Sequence, residues 1–144
     1  MNDNFEFGPR AAAFYPGLVT AKFYETWDFY TEQLGFHTIE ESDDRVRLAH
    51  SSGAQLAILR HETDEQNSEL VSPTDGHGFW LQLDVADVDG FCQRLRGADV
   101  QIVRELEAGA RGASSFTVHD PNGVLICVEL AREPVSAALL GRIE

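Results

Sequence analysis

An α+β fold built from two βαβββ modules is what this 144-residue sequence predicts, on three observations. Short runs of alternating apolar and polar residues, bounded by Gly, Pro, Asn and Ser, have the pattern of β-strands. Two longer stretches instead repeat apolar residues at helical intervals. The order of one strand, one helix and three strands then occurs twice, which points to an internal duplication.

The elements follow in chain order. Residues 1–13 are rich in Asn, Asp, Gly and Pro and show no period, so a flexible leader is expected. Phe14–Thr20 can form the first strand. From Ala21 to Leu34, the residues Phe23, Trp27, Tyr30 and Leu34 recur at steps of four, three and four. That spacing lays one apolar stripe along a helix, which Gly35 ends. Extended runs at Phe36–Glu40, Arg45–His50 and Gln55–Arg60 complete a first module over 14–60, with Ser51-Ser52-Gly53 as the turn between the last two. Residues 61–78 are polar and acidic, carry Pro73 and Gly76, and read as a linker or a loop over a site.

The second module, 79–130, repeats the order. Strand Phe79–Val85 leads into a helix Asp87–Arg96, with Asp87 as N-cap, Val88, Phe91 and Leu95 as its buried stripe, and Gly97 as its stop. Strand Val100–Leu106 precedes a hairpin over Ser114–Leu130, and 131–144 form a C-terminal extension. In the hairpin, Asp120 can bond the backbone two residues on, Pro121 presets φ, and Asn122-Gly123 accepts the positive φ of the reversal. Strand parity puts Phe116, Val118, Val124, Ile126, Val128 and Leu130 on a core face. Ser115, Thr117, His119, Leu125, Cys127 and Glu129 fall on the opposite, mixed polar face, a candidate cavity wall.

Eleven basic against twenty-four acidic residues give a net charge of −13, which argues against nucleic-acid binding. No apolar run approaches the roughly 20 residues needed to span a bilayer. Met1–Arg10 lacks the basic and apolar regions of a secretory signal, so a cytoplasmic protein with no membrane partner is expected. Cys92 and Cys127 show no paired spacing and are expected to be reduced.

Three segments together resemble a known family: Asp28-Phe-Tyr-Thr-Glu-Gln-Leu-Gly-Phe36, Leu83-Asp-Val-Ala-Asp-Val-Asp89 and Phe116-Thr-Val-His-Asp-Pro-Asn-Gly-Val-Leu-Ile126. Over roughly Phe14–Leu130 the chain resembles the vicinal oxygen chelate superfamily, also called the glyoxalase/bleomycin resistance/dioxygenase family. The resemblance implies two βαβββ modules curled into a half-open mixed β-barrel around a small-molecule cavity, commonly in a homodimer. It also implies four inward positions, on the first and last strand of each module, that carry the ligands in metal-dependent members. Matched motif to motif, these are Tyr15, Ala57, Trp80 and Cys127.

A divalent metal of that type needs about three His, Glu or Gln ligands with open positions for substrate. Alanine cannot coordinate, tryptophan offers only an N–H, and tyrosine holds its proton to a pKa of about 10. The expectation is therefore a metal-free cavity without a cofactor. Tyr15 and Trp80 would supply aromatic surface, Gln55, Gln82, Ser115 and Thr117 hydrogen bonds, and Ala57, Cys127 and Glu129 the remaining lining. Such a pocket suits an aromatic or cationic molecule, as in antibiotic-sequestering resistance proteins.

Other readings stay open. Tyr15 and Trp80 could simply fill a closed barrel. A shifted register could bring Glu129 or a histidine into a metal site, giving a metal-dependent glyoxalase-type lyase or isomerase, or an extradiol-type dioxygenase. His77 is read as an exposed loop residue, His119 as a rim residue, and His50 and His61 as surface residues. Cys127 is read as an inert thiol, because nothing in the sequence lowers its pKa. Ser114 and Ser115 have no nucleophile-elbow context, Gly109–Ala113 lacks a phosphate-binding signature, and the Gly- and Ala-rich stretch Arg104–Ala113, with Arg111, reads as a mobile loop.

Overall fold

The computed structural model of the chain describes residues 12–61, 72–108 and 114–131. Most of the leader, most of the linker, the loop around Arg111 and nearly all of the C-terminal extension lie outside the described residues. The chain divides between Thr74 and Asp75 into two compact units.

The first unit runs β1 (Gly17–Thr20), α1 (Phe23–Asp28), a π-helical continuation (Phe29–Gln33), β2 (His37–Glu41), β3 (Arg45–Ala49) and β4 (Gln55–Arg60). The second runs β5 (Trp80–Val85), α2 (Val88–Gly97), β6 (Ile102–Ala108), β7 (Ser114–His119) and β8 (Leu125–Leu130). Each folds into a four-stranded mixed sheet, ordered β1-β4-β3-β2 and β5-β8-β7-β6. In both sheets the first and last strands pair in parallel and the remaining pairs are antiparallel. The predicted duplication is thus present as two sheets of identical order, which are not closed into one barrel.

Both sheets carry a register shift at the same place. Register shifts fall between Thr38 and Glu40 on β2 and between Ile102 and Arg104 on β6. The extra residues are Ile39 and Val103, both exposed. A bulge turns the residues beyond it to the other face. Glu40 therefore joins Arg47, and Arg104 joins Thr117, on the faces away from the helices.

In the first unit Leu18, Val46, Leu48, Leu56 and Ile58 are buried, as are Phe23, Tyr30 and Leu34 of the helical segment. The helix departs from the expected uniform α form. Thr31 Oγ1 donates to the carbonyl oxygens of Trp27 (2.9 Å) and Asp28 (3.3 Å) where the backbone widens to π geometry. Such hydroxyl back-bonding competes with the regular ladder. Gly35, at φ 82°, then reverses the chain as expected, and Phe36 N donates to Tyr30 O at 3.1 Å.

In the second unit Phe116, Val118, Ile126 and Val128 pack with Val88, Cys92 and Leu95 of α2. Asp87 caps α2 as predicted, its Oδ1 accepting from Gly90 N at 3.0 Å. Two expectations need correction. Cys92 rather than Phe91 takes the fully buried position, because Phe91 meets Phe116 edge-on at 6.3 Å while carrying Arg94 on its ring. Gly97 remains helical, and Asp99 supplies the positive φ (64°) that ends the segment. Asp is among the few non-glycine residues that tolerate that region.

Candidate functional site

The open face of the second sheet collects the chemically distinctive residues. Directly paired residues share a face, so the register lays out three rows across it. Trp80, Leu125 and His119 form the first. Gln82, Cys127, Thr117 and Arg104 form the second. Asp84, Glu129, Ser115 and Glu107 form the third. All belong to strands whose alternate residues are held by the core, which is why short β-runs present them together.

The Trp80 indole is 63% exposed, yet its edge is held. Its Nε1 donates to Gln82 Oε1 at 3.1 Å. Gln82 Nε2 in turn donates to Glu129 Oε1 at 2.6 Å and to Asp84 Oδ1 at 3.0 Å. The amide is oriented by these contacts, with its oxygen toward the ring and its nitrogen toward two carboxylates. Among the described residues neither carboxylate has an ion-pair partner.

Beside them, partial burial pushes the Cys127 thiol above its usual pKa, and the Glu129 carboxylate adds to the shift. A hydrogen bond with Thr117 and the Arg104 charge act in the opposite sense but are outweighed. The thiolate is disfavoured, as the inert-thiol reading expects. Alkylation of Cys127 by iodoacetamide at pH 8 should therefore be slower than that of a free thiol, and Glu129→Gln should accelerate it. Mass spectrometry of quenched time points measures both.

The first sheet is furnished differently. Tyr15 precedes β1, which starts at Gly17 and not at Phe14. Its hydroxyl accepts from Arg47 Nη1 at 3.1 Å while the guanidinium lies 5.3 Å over its ring. Arg47 Nε sits 3.1 Å from Glu40 Oε1, close enough for an ion pair though poorly aligned for a hydrogen bond. Ala57 is buried beside Gly17, and the buried Gln55 Oε1 atom has no donor among the described residues. A shallow groove of about 440 Å³ is lined by Glu40, Glu41, Ser42, Arg45 and Arg47.

The predicted residues thus fall into two sets: Tyr15, Gln55 and Ala57 in the first unit, and Trp80, Gln82, Ser115, Thr117, Cys127 and Glu129 in the second. Asp84, Arg104 and Glu107 join the second set without having been anticipated. His77 is exposed and pairs with Asp75 at 3.3 Å. His119 is half-buried beside the turn, and His50 contacts Ser52 at 2.8 Å. His61, expected at the surface, is half-buried with Nδ1 shielded, because its backbone is anchored to Thr20 O at 2.8 Å.

The profile of the Glyoxalase/Bleomycin resistance protein/Dioxygenase superfamily matches residues 13–128. The chain belongs to this superfamily. No curated protein matches it significantly. Solved structures share the fold at low identity. A protein of unknown function from Agrobacterium tumefaciens str. C58 is 22% identical, with TM-score 0.68, over 88% of this chain and 99% of that one. A glyoxalase/bleomycin resistance protein/dioxygenase family enzyme from Burkholderia phytofirmans PsJN is 20% identical, with TM-score 0.70, over 82% and 97%. A lactoylglutathione lyase from Agrobacterium tumefaciens is 16% identical, with TM-score 0.59, over 85% and 96%.

The divalent metal of some superfamily members does not fit the donors found here. Ala57 has no donor atom and Trp80 offers only an N–H. Gln82 Oε1 already accepts from Trp80, and the Tyr15 hydroxyl accepts from Arg47. Cys127 is held toward its neutral form. Among the described residues no group of three or more His, Cys, Asp and Glu could hold a metal ion. Nor, among them, is any helix long and apolar enough to cross a membrane.

Proposed function

We propose that this superfamily member binds a small aromatic or cationic molecule on the open face of the second sheet, without a resident metal, in the manner of resistance proteins that sequester their ligand. The observation that carries the reading is the exposed Trp80 indole, fixed by Gln82 and backed by the Glu129 carboxylate. An exposed ring gains nothing from burial in the fold, and fixing it removes the entropy that a ligand would otherwise have to quench. A cation over such a ring is stabilised by ~0.5–2 kcal/mol. A cytoplasmic homodimer belongs to the same reading, and sedimentation velocity tests the assembly.

The ligand test uses intrinsic fluorescence against a panel of aromatic and cationic antibiotics. Trp27 serves as an internal control, because its Nε1 donates to Thr38 Oγ1 at 2.9 Å in the first unit. Quenching is expected from at least one compound and should disappear in Trp80→Phe. Binding unaffected by that substitution would refute the site. One equivalent of Mn, Fe, Ni or Zn per chain, in protein purified without affinity metal, would refute the metal-free reading.

A further inference from the structure

We propose that the ligand of the second sheet's open face is an amphipathic cation, a flat apolar group carrying a primary or secondary ammonium, the two separated by the span of the Gln82 amide, which bonds the Trp80 indole on one side and the Asp84 and Glu129 carboxylates on the other. The inference rests on the reading of this face as a binding surface, and it specifies what that surface selects. The face is graded along the strands. Trp80 and Leu125, paired in register and both exposed, make an apolar end. Asp84 and Glu129, also paired, make an acidic end, with Glu107 farther out in the same row.

Gln82 lies between the two ends, and its orientation reports the sign of the charge it faces. Its nitrogen, not its oxygen, points to the acidic end and donates to both carboxylates. An ammonium offers those carboxylates the same kind of donor with a full charge, which makes the contact shorter and stronger. Arg104 is the cation on the described face, and it sits on the edge strand β6 in the Thr117 row. One guanidinium against three carboxylates leaves the face acidic. The chain's charge of −13 adds attraction for cations at longer range.

The duplicated fold supplies an internal comparison. Where the second sheet pairs Asp84 with Glu129, the first pairs Val19 with Leu59 at the corresponding register. Where the second pairs Gln82 with Cys127, the first pairs Gly17 with Ala57. The architecture therefore does not require carboxylates at these positions. Their placement two rows from an exposed indole, with Gln82 between, is particular to the second module, and its charge complements an ammonium and repels an anion.

Three probes of matched length separate the possibilities: phenylbutylamine, its N-acetyl derivative, and phenylpentanoate. Calorimetric titration of the full chain should show the amine binding about 5-fold more tightly than the N-acetyl compound, and the acid most weakly, as an exposed charge pair permits. Glu129→Gln should remove that advantage, the amine losing more affinity than the N-acetyl compound, and Trp80→Leu should weaken both. Circular dichroism verifies that each variant is folded. Equal amine and N-acetyl affinities that still depend on Trp80 would overturn the cation assignment and leave the binding face standing. Tightest binding by the acid would overturn it as well. Absence of binding by all three would overturn the assignment together with the reading on which it rests.

Discussion

Gly76→Ala is expected to destabilise the protein by about 3 kcal/mol or more, from overpacking and a strained backbone together. Gly76 is buried at φ 83°, inside the segment that sequence reasoning assigned to a linker. A Cβ there would overlap the carbonyl carbon and oxygen of Gly123 and come within 2.7 Å of Val124 N. All three atoms are backbone of the β7–β8 turn, so no side-chain rotation relieves the clash. Gly78→Ala separates the two causes. It has φ 94° but open space around its Cβ position, so only the backbone term of about 1–2 kcal/mol applies. Thermal unfolding should place Gly76→Ala lowest, roughly 6–12 °C below the wild type at ~2–4 °C per kcal/mol. Equal melting points for the two variants would show that the turn yields to the added methyl.

The Gly76 contact shows where the sequence was legible and where it was not. Strand parity placed Phe116, Val118, Ile126 and Val128 on the core side and Cys127 and Glu129 opposite, because alternation is a local property of each run. It also made Asp84 a neighbour of Trp80 and Gln82, a consequence open to reading along β5. Counting by twos fails on β6: Ile102 faces the core with Val118, and the bulge then turns Arg104 to the other side. A bulge depends on pairing between strands and leaves no mark on the composition of either. The approach of Gly76 to Gly123 is likewise a long-range backbone contact, invisible in a segment without period. The start of β1 was set too early, at Phe14, for a related reason, since β1 begins only where its parallel partner Ala57 meets Gly17. The family motifs located the fold, and the register located which side chains share the open face.

Asp120→Ala is expected to cost about 3 kcal/mol, because it strips acceptors from two backbone N–H groups at ~1–3 kcal/mol each. Asp120 is 1% exposed. Its Oδ1 accepts from Asn122 N at 2.7 Å and Val124 N at 2.9 Å, and its Oδ2 accepts from Asn122 Nδ2 at 3.3 Å. Val124 is itself fully buried, so water cannot replace the lost acceptor there. Asp120→Asn keeps an oxygen in the Oδ1 position and should cost less than half as much. The turn also sets the register of β8, and a slip of one residue would bring Ile126 and Val128 to the open face in place of Cys127 and Glu129. That slip is opposed independently by the parallel pairing of β8 with β5, which extends from Trp80–Leu125 to Val85–Leu130. Urea unfolding should therefore show the stability loss in Asp120→Ala, while the folded fraction keeps wild-type affinity for phenylbutylamine. Loss of that affinity in folded protein would mean that the turn, and not the β5 pairing, holds Glu129 on the open face.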